Sequence, residues 1–409
     1  MVARRPRGRK AQIARASAEA FSALGYHGVT METIASRVGI STRALHRHYP
    51  SKYVLFRDAV LSLSQQLVDA TAFADDGCSE KAPFPDDAAA AAVLRDVIAA
   101  LIDTAMANRT AGGLYRWEAR YLRDEDQDTL SGHIRVVHQR IQRPLRRLRP
   151  ELTSQQRWTL STSVLSVVGS VVDHRAKLPA ARIKAVLADL AAVIVDADLA
   201  GSSNTLSARG SARRPPASTY DALLDESMRQ FNAKGYRDTT VEDIASAVGL
   251  PAPGVYRYFS RKSDLLCAVF RRAGEWLAGE VDAIAARAPT PRDALWGIID
   301  SYVDSSFAFP EFETVYYAER RNLPAADQNL LRGMQRATVE SWTQLVVAVR
   351  PELTTGEARF VVHAAMALVI DVGRLSGYRT SERTKAMLGE LLDLTLAGRY
   401  RLRMALPAR

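Results

Sequence analysis

Residues 25–60 read GYHGVTMETIASRVGISTRALHRHYPSKYVLFRDAV, and residues 235–270 read GYRDTTVEDIASAVGLPAPGVYRYFSRKSDLLCAVF. The stretches align without a gap, 210 residues apart, and share Gly25/Gly235, Tyr26/Tyr236, Thr30/Thr240, Glu32/Glu242, Ile34/Ile244, Val38/Val248, Gly39/Gly249, Arg47/Arg257 and Lys52/Lys262. That period exceeds any solenoid repeat, so it implies two whole domains of one kind in tandem. Each copy reads as two short helices around a glycine turn. Thr30 or Thr240 caps the first, and Gly39 or Gly249 supplies the turn. Ser41 opens the second short helix, and Pro50-Ser51 precedes a long one. This is a helix-turn-helix pattern. Ile34, Ala35, Val38, Ile40, Leu45 and Tyr49, with Ile244, Ala245, Val248, Leu250, Val255 and Phe259, form the expected three-helix cores. Lys10 to Leu24 completes the first as an amphipathic helix ended by Gly25.

Downstream, a second self-similarity has an offset of 201 residues. Glu118, Arg120, Leu122, Asp126, Gln127 and Leu130 match Glu319, Arg321, Leu323, Asp327, Gln328 and Leu331, and Arg149-Pro-Glu-Leu-Thr153 matches Arg350-Pro-Glu-Leu-Thr354. Much of the nine-residue difference between the offsets is expected in a polar loop, about residues 75–87, before a helix starting near Asp86. The apolar stretches Val164–Val172 and Val361–Ile370 are too short for a membrane and too apolar for water. Packed together, with the last helices Arg182–Leu199 and Thr384–Arg399, they make an intramolecular four-helix bundle. The expected fold is therefore all-α, as two tandem units packed as an intramolecular pseudo-dimer. The division is a basic arm (1–9), a first helix-turn-helix domain (10–70, motif about 30–49) and a first helical domain (71–200). A linker (201–216), a second helix-turn-helix domain (217–280, motif about 240–259) and a second helical domain (281–409) follow.

Composition narrows the function. Net charge is +10 over 409 residues. Residues 1–52 hold ten Lys/Arg against two acids, and residues 209–262 hold nine against six, so the whole surplus lies in and around the two motifs. That is the electrostatic footprint of contact with a phosphate backbone. Cys78 and Cys267 have no metal or disulfide-framework spacing, which favours a reducing cytoplasm. No apolar run reaches the roughly 20 residues of a membrane span, and no apolar segment follows the basic N-terminus to make a secretory signal. No phosphate loop, nucleophile motif or metal cluster is present, so neither an enzyme nor a cofactor is expected. His46 and His48, two residues apart on a helix, point away from each other and do not suit a metal.

The pattern G-Y…T-x-x-x-I-A-x-x-V-G-[IL]…[LV]-[HY]-R-[HY]-[YF]-x-x-K-x-x-L closely resembles the N-terminal module of TetR-family transcriptional regulators, over about 50 residues in each copy. The tandem arrangement resembles actinobacterial double TetR repressors, including regulators of lipid-uptake (mammalian cell entry) operons. The resemblance implies that the second short helix of each module enters the DNA major groove. In the first copy Ser41, Thr42 and Arg43 then meet the bases, with Arg43 on a guanine or on a phosphate. Thr30, His46, Arg47, His48 and Lys52 fall at its other DNA positions, His46 standing where tyrosine is usual. In the second copy Pro251-Ala252-Pro253-Gly254 leaves no long polar side chain at the tip. Thr240, Ala252, Tyr256, Arg257, Tyr258 and Lys262 then grip DNA but read sequence weakly, or the module has lost DNA binding. Arg4, Arg5 and Arg7 resemble a minor-groove arm.

The family's helical domains hold an effector, here expected to be small and hydrophobic. Trp117, Arg120, Tyr121, Tyr302, Phe312, Tyr316 and Arg321 are candidates for lining its pocket. The aromatic residues are open to a core role and the arginines to ion pairs. The expected partner is a double-stranded operator, asymmetric because the recognition helices differ. It would be bound by a monomer acting as a pseudo-dimer, or by a homodimer with four modules. Two other readings are a lipid- or small-molecule-binding protein with secondary DNA binding, and an architectural DNA-binding protein without a ligand.

Overall fold

The computed structural model describes residues 9–75, 84–199, 216–378 and 381–398. The candidate arm residues Arg4, Arg5 and Arg7, and nearly all of the proposed linker, lie outside them. The first half runs α1 (Arg9–Gly28), α2 (Met31–Arg37), α3 (Thr42–His46), α4 (Lys52–Ala70), α5 (Asp87–Ala107), α6 (Leu114–Trp117), α7 (Asp124–Leu148), α8 (Ser154–Ser170) and α9 (Ala180–Val195). The second repeats it as α10 (Thr219–Lys234), α11 (Val241–Ala247), α12 (Ala252–Val255), α13 (Lys262–Arg287), α14 (Pro291–Ala308), α15 (Glu311–Glu319), α16 (Ala325–Val349), α17 (Thr355–Leu375) and α18 (Glu382–Ala397). There is no strand among the described residues.

Three apolar cores organise these helices. Ile13, Phe21, Ile34, Leu45, Tyr49 and Phe56 centre the first helix-turn-helix core, and Leu223, Phe231, Ile244, Val255, Phe259 and Phe270 the second. The third is shared. It runs without a break from Leu94, Leu101, Ile141 and Val164 of the first unit to Ile298, Trp342, Val361 and Leu391 of the second. The anticipated bundle is present within the chain: α8 packs on α17, α9 on both α8 and α17, and α18 on both α17 and α9. Small residues explain the close α8–α17 approach. Ser163, Ser166 and Ser170 are buried on α8, and Ala364 and Ala365 on α17, whereas Gly169 leaves room for Arg116 and Gly373 for Tyr378. Small side chains let helix axes come near, while the valines between them fill the space.

The repeated Arg-Pro-Glu-Leu-Thr is a joint. Thr153 closes a capping box with Gln156 at the start of α8, and Thr354 one with Glu357 at the start of α17. Each satisfies backbone N–H groups that the first turn leaves without partners. Arg149 holds Glu151 at 2.5 Å and reaches the carbonyls of Val195, at the end of α9, and of Ala197 just beyond it, at 3.0 and 3.3 Å. The cap of α17 is also tied across the units, because Arg182 of α9 pairs with Glu357.

Two local departures have simple causes. α1 continues to Gly28 but breaks at Gly25, whose φ of +72° is outside helical geometry. The proposed boundary at residue 280 falls inside α13, which packs on α10 of its module and on α14 and α16 of the helical layer.

Candidate nucleic-acid interface

In the first module, packing decides what faces outward. Leu45 and Tyr49 are buried in the three-helix core, so Arg43, His46, Arg47 and His48 are turned to the surface and all four are exposed. Gly39 makes the turn at φ +66° with open space around it. Thr30 accepts from the Thr33 N–H at 3.2 Å, and Ser41 accepts from the Ala44 N–H at 3.2 Å. Their hydroxyl oxygens are thus engaged as helix caps, and the Thr30 hydroxyl also shares a 3.1 Å hydrogen bond with that of Thr33. Thr42 stands half-buried beside them at the N-terminus of α3.

The second module repeats the frame with different contents. Thr240 forms a capping box with Asp243, and Gly249 turns at φ +75°. Pro251 precedes α12 and Pro253 lies in its first turn, where the missing N–H costs no intrahelical bond. Val255 and Phe259 are buried, which turns Tyr256, Arg257 and Tyr258 outward. Tyr256 and Tyr258 are about half exposed, at 52% and 47%. Ala252 is half-buried at the tip.

The two lysines have an inward task instead. Lys52 donates to the Tyr26 carbonyl at 3.0 Å and lies 4.5 Å over that ring. Lys262 donates to the carbonyls of Tyr236, Arg237 and Thr239, at 2.7, 3.2 and 2.8 Å, which uses all three ammonium protons. Both lock the turn between the first two helices of their module. Partial burial holds both ammonium groups below the usual lysine range; the Arg237 charge lowers Lys52 further, whereas at Lys262 Asp238 and Glu319 oppose the shift and Arg237 adds to it. Arg237 also lowers His27, after burial. The Gly-Tyr turns of the two modules therefore lie close enough to sense each other's charge.

Behind these turns lies a reciprocal pair of bridges. Glu118 accepts from the Tyr26 N–H at 3.1 Å and from Arg321 at 2.7 Å. Glu319 accepts from the Tyr236 N–H at 3.1 Å and from Arg120 at 2.5 Å. Both carboxylates are 1% exposed, and each arginine comes from the other unit. Arg321 also reaches the Ser22 carbonyl on α1. Each module is thus fastened to a buried carboxylate, which an arginine of the opposite unit neutralises.

This places the candidate effector residues. Arg120 and Arg321 are ion-paired, the second of the two roles the sequence left open. Tyr121 stacks on Tyr26, centroids 5.2 Å apart, and takes a hydrogen bond from Arg120. Tyr302, Phe312 and Tyr316 do meet around one cavity, but it holds only about 90 Å³. A drug-sized ligand needs roughly 300–1,000 Å³, so these aromatic residues are chiefly core. Trp117 stacks on Tyr317 of the other unit at 4.1 Å and donates to Asp173 at 2.7 Å. With Arg321 it borders a different cavity, of about 850 Å³, between the units.

Sequence reasoning missed two features here. Glu118 and Glu319 were in plain view as members of the 201-residue repeat beside Arg120 and Arg321. A glutamate and an arginine repeated together at one offset is the signature of a reciprocal bridge. Arg116 is the second. It pairs with Asp371 of the other unit at 2.9 Å and lies 3.4 Å from Asp173, all three largely buried. Neither Arg116 nor Asp371 is repeated, so no signal announced them.

Comparison with known proteins agrees with the two modules. The family "Bacterial regulatory proteins, tetR family" matches residues 13–59 and 223–269. Among curated proteins, the HTH-type transcriptional repressor KstR2 of Mycolicibacterium smegmatis is 34% identical over 83 residues, which is 20% of this chain and 40% of that protein. The HTH-type transcriptional repressor ComR of Escherichia coli is 36% identical over 70 residues, 17% of this chain and 33% of its own length. The chain therefore spans less than half the length of these relatives. Among solved structures, a TetR-family regulator from Bordetella parapertussis is 17% identical with a TM-score of 0.40, covering 45% of this chain and 96% of that one. Residues 13–59 and 223–269 are therefore two TetR-type N-terminal modules in tandem, carried on an all-helical frame.

Proposed function

We propose that this chain is a sequence-specific regulator of transcription, a repressor that binds double-stranded DNA and yields it to a small-molecule effector. It has no enzymatic role and works in the cytoplasm; no described helix is long and apolar enough to cross a membrane. One observation carries the reading: two TetR-type modules, each with an outward-facing second short helix, are carried by one continuous helical core. That arrangement supports a single chain acting as a pseudo-dimer, its modules meeting adjacent major grooves roughly 34–36 Å apart.

The modules are unequal readers. Arg43, with Ser41 and Thr42 beside it, reads bases, and His46, Arg47 and His48 hold phosphates. In the second module Tyr256, Arg257 and Tyr258 hold phosphates, while the Pro251–Gly254 tip follows shape more than base identity. Lys52 and Lys262 act by fixing each module's turn. Arg4, Arg5 and Arg7 add a minor-groove arm. The operator is accordingly asymmetric. Selecting bound duplexes from random DNA tests this: a defined site with one strongly specified half supports it, whereas no enrichment contradicts it.

A further inference from the structure

The cavity of about 850 Å³ between the units differs in chemistry from an apolar effector pocket. Its wall carries Arg175, Arg320, Arg321, Arg332, Arg336 and Arg359, against the carboxylates Glu118, Asp173 and Glu340. Each carboxylate already has an arginine: Glu118 has Arg321 at 2.7 Å, Asp173 has Arg116 at 3.4 Å, and Glu340 has Arg359 at 2.7 Å. Arg175, Arg320, Arg332 and Arg336 form no ion pair among the described residues. Four guanidinium groups thus line one cleft without a direct ion pair. Arg175 donates to the carbonyls of Val172, His174 and Thr110, Arg332 to Gln328 and Asn329, and the Asp173 charge acts on Arg175 and Arg320.

A buried donor adds to them. His174 is 8% exposed and borders the cleft, stacked on His363 at 3.9 Å. Its Nδ1 accepts from the Ala176 N–H at 3.2 Å, so the neutral ring carries its proton on Nε2. That Nε2 has no hydrogen-bond partner, although a buried polar atom ordinarily has one.

The repeat shows that this chemistry belongs to one side of the molecule. At the 201-residue offset, His174 and Arg175 become Leu375 and Ser376, Arg320 becomes Ala119, and Arg332 becomes Ser131. Arg359 and His363 become Trp158 and Thr162; Arg336 alone among the unpaired arginines keeps its charge, as Arg135. Two identical subunits would carry two such clefts. A fused chain is free to build one.

We propose that this cleft binds one small molecule per chain bearing two or more clustered negative charges, phosphate or carboxylate. Guanidinium groups suit both, because their planar N–H forks match such oxygens in pairs. The volume fits a small organic ligand, within the roughly 300–1,000 Å³ of such sites. The cleft also touches Ser22 and Ala23 of α1 and the Glu118–Arg321 bridge, so its occupant meets the fastening of the first module. This deepens the regulatory reading above and names the chemistry of its effector.

The test is calorimetry on the full chain with pyrophosphate and, separately, citrate, alongside mobility shifts on selected duplex without either anion. The expected result is one-to-one binding of at least one anion, weakened ten-fold or more in R332A/R336A and in R175A, and unchanged in R135A. Which anion binds more tightly distinguishes a phosphate from a carboxylate ligand. Binding of neither anion, or equal binding by all variants, overturns the proposal. So does a loss of duplex affinity with a reduced salt slope in R332A/R336A, which would make the cleft a DNA-phosphate contact. Failure of the wild-type chain to bind any duplex contradicts the regulatory reading alone, since the calorimetry still decides the cleft.

Discussion

Arg321 of the second unit reaches Glu118 of the first at 2.7 Å, and the pair is the repeat image of Arg120 and Glu319. In both, the glutamate also holds the N–H that follows a glycine with positive φ, at the turn between the first two helices of a DNA module. The helical core and the DNA-binding turns therefore share two buried charges.

Substituting Glu118 by Ala should lower stability by roughly 3–5 kcal/mol, the usual cost of leaving one member of a buried pair uncompensated. Urea unfolding measures this. E118A should also weaken DNA binding through the first module, because the Tyr26 N–H loses its acceptor. A change below about 1 kcal/mol, the scale of an exposed salt bridge, would show that the bridge is an ornament of the surface.

Arg116 should matter for the join between units. It neutralises Asp371 across the interface and Asp173 within its own unit. R116A should cost about 3–5 kcal/mol, whereas R116M with D371N and D173N should recover much of that by removing the stranded charges together. Denaturant midpoints for the single and the multiple variant check it. Equal losses in both would contradict the ion-pair account.

The recognition helices should respond unequally. R43A should relax base preference in one half of the operator, at about 1–3 kcal/mol of discrimination. Y256A should weaken binding evenly across sequences, as expected if the exposed Tyr256 serves the phosphate contact proposed for it rather than a base contact. Competition with point-mutated duplexes separates these outcomes. Equal loss of discrimination in the two halves would show that both modules read bases.

Acid should act through buried histidines. His138, bonded to Ser161 at 2.9 Å, has its pKa lowered to about 4 by burial, from an ordinary value of 6.5. In the unfolded chain His138 takes up a proton as pH falls below 6.5, while in the fold it stays neutral until about pH 4. Its contribution is therefore complete above pH 6.5 and is lost progressively down to pH 4. Relative to H138Q, the wild type should lose roughly 1–2 kcal/mol between pH 7 and pH 5. A constant difference between the two proteins across that range would show that His138 is not held neutral.

The fold was largely legible because periodicity and repetition both encode it. The glycine turns, the caps at Thr30 and Ser41, and the apolar stretches that become α8 and α17 are local signals, each with one mechanical meaning. The outward positions of Arg43 and Tyr256 followed from the burial of Leu45 and Val255 beside them. The inward role of Lys262 was hidden, because three carbonyls converge on it only once the turn is folded. The inter-unit cleft was hidden for a related reason: Arg175, Arg332 and Arg359 lie far apart in sequence and have no repeat partners. Pairwise contacts that break the repeat carry no signal in a single chain.

The central claim is that one chain supplies both modules of the DNA-binding unit. Native mass spectrometry of the free protein and of its complex with a selected duplex tests it most directly. The account predicts a free species near the chain mass of 44.9 kDa and one chain per duplex. A stable free species of twice that mass, or two chains bound to a single site, would place the working interface between chains and contradict it.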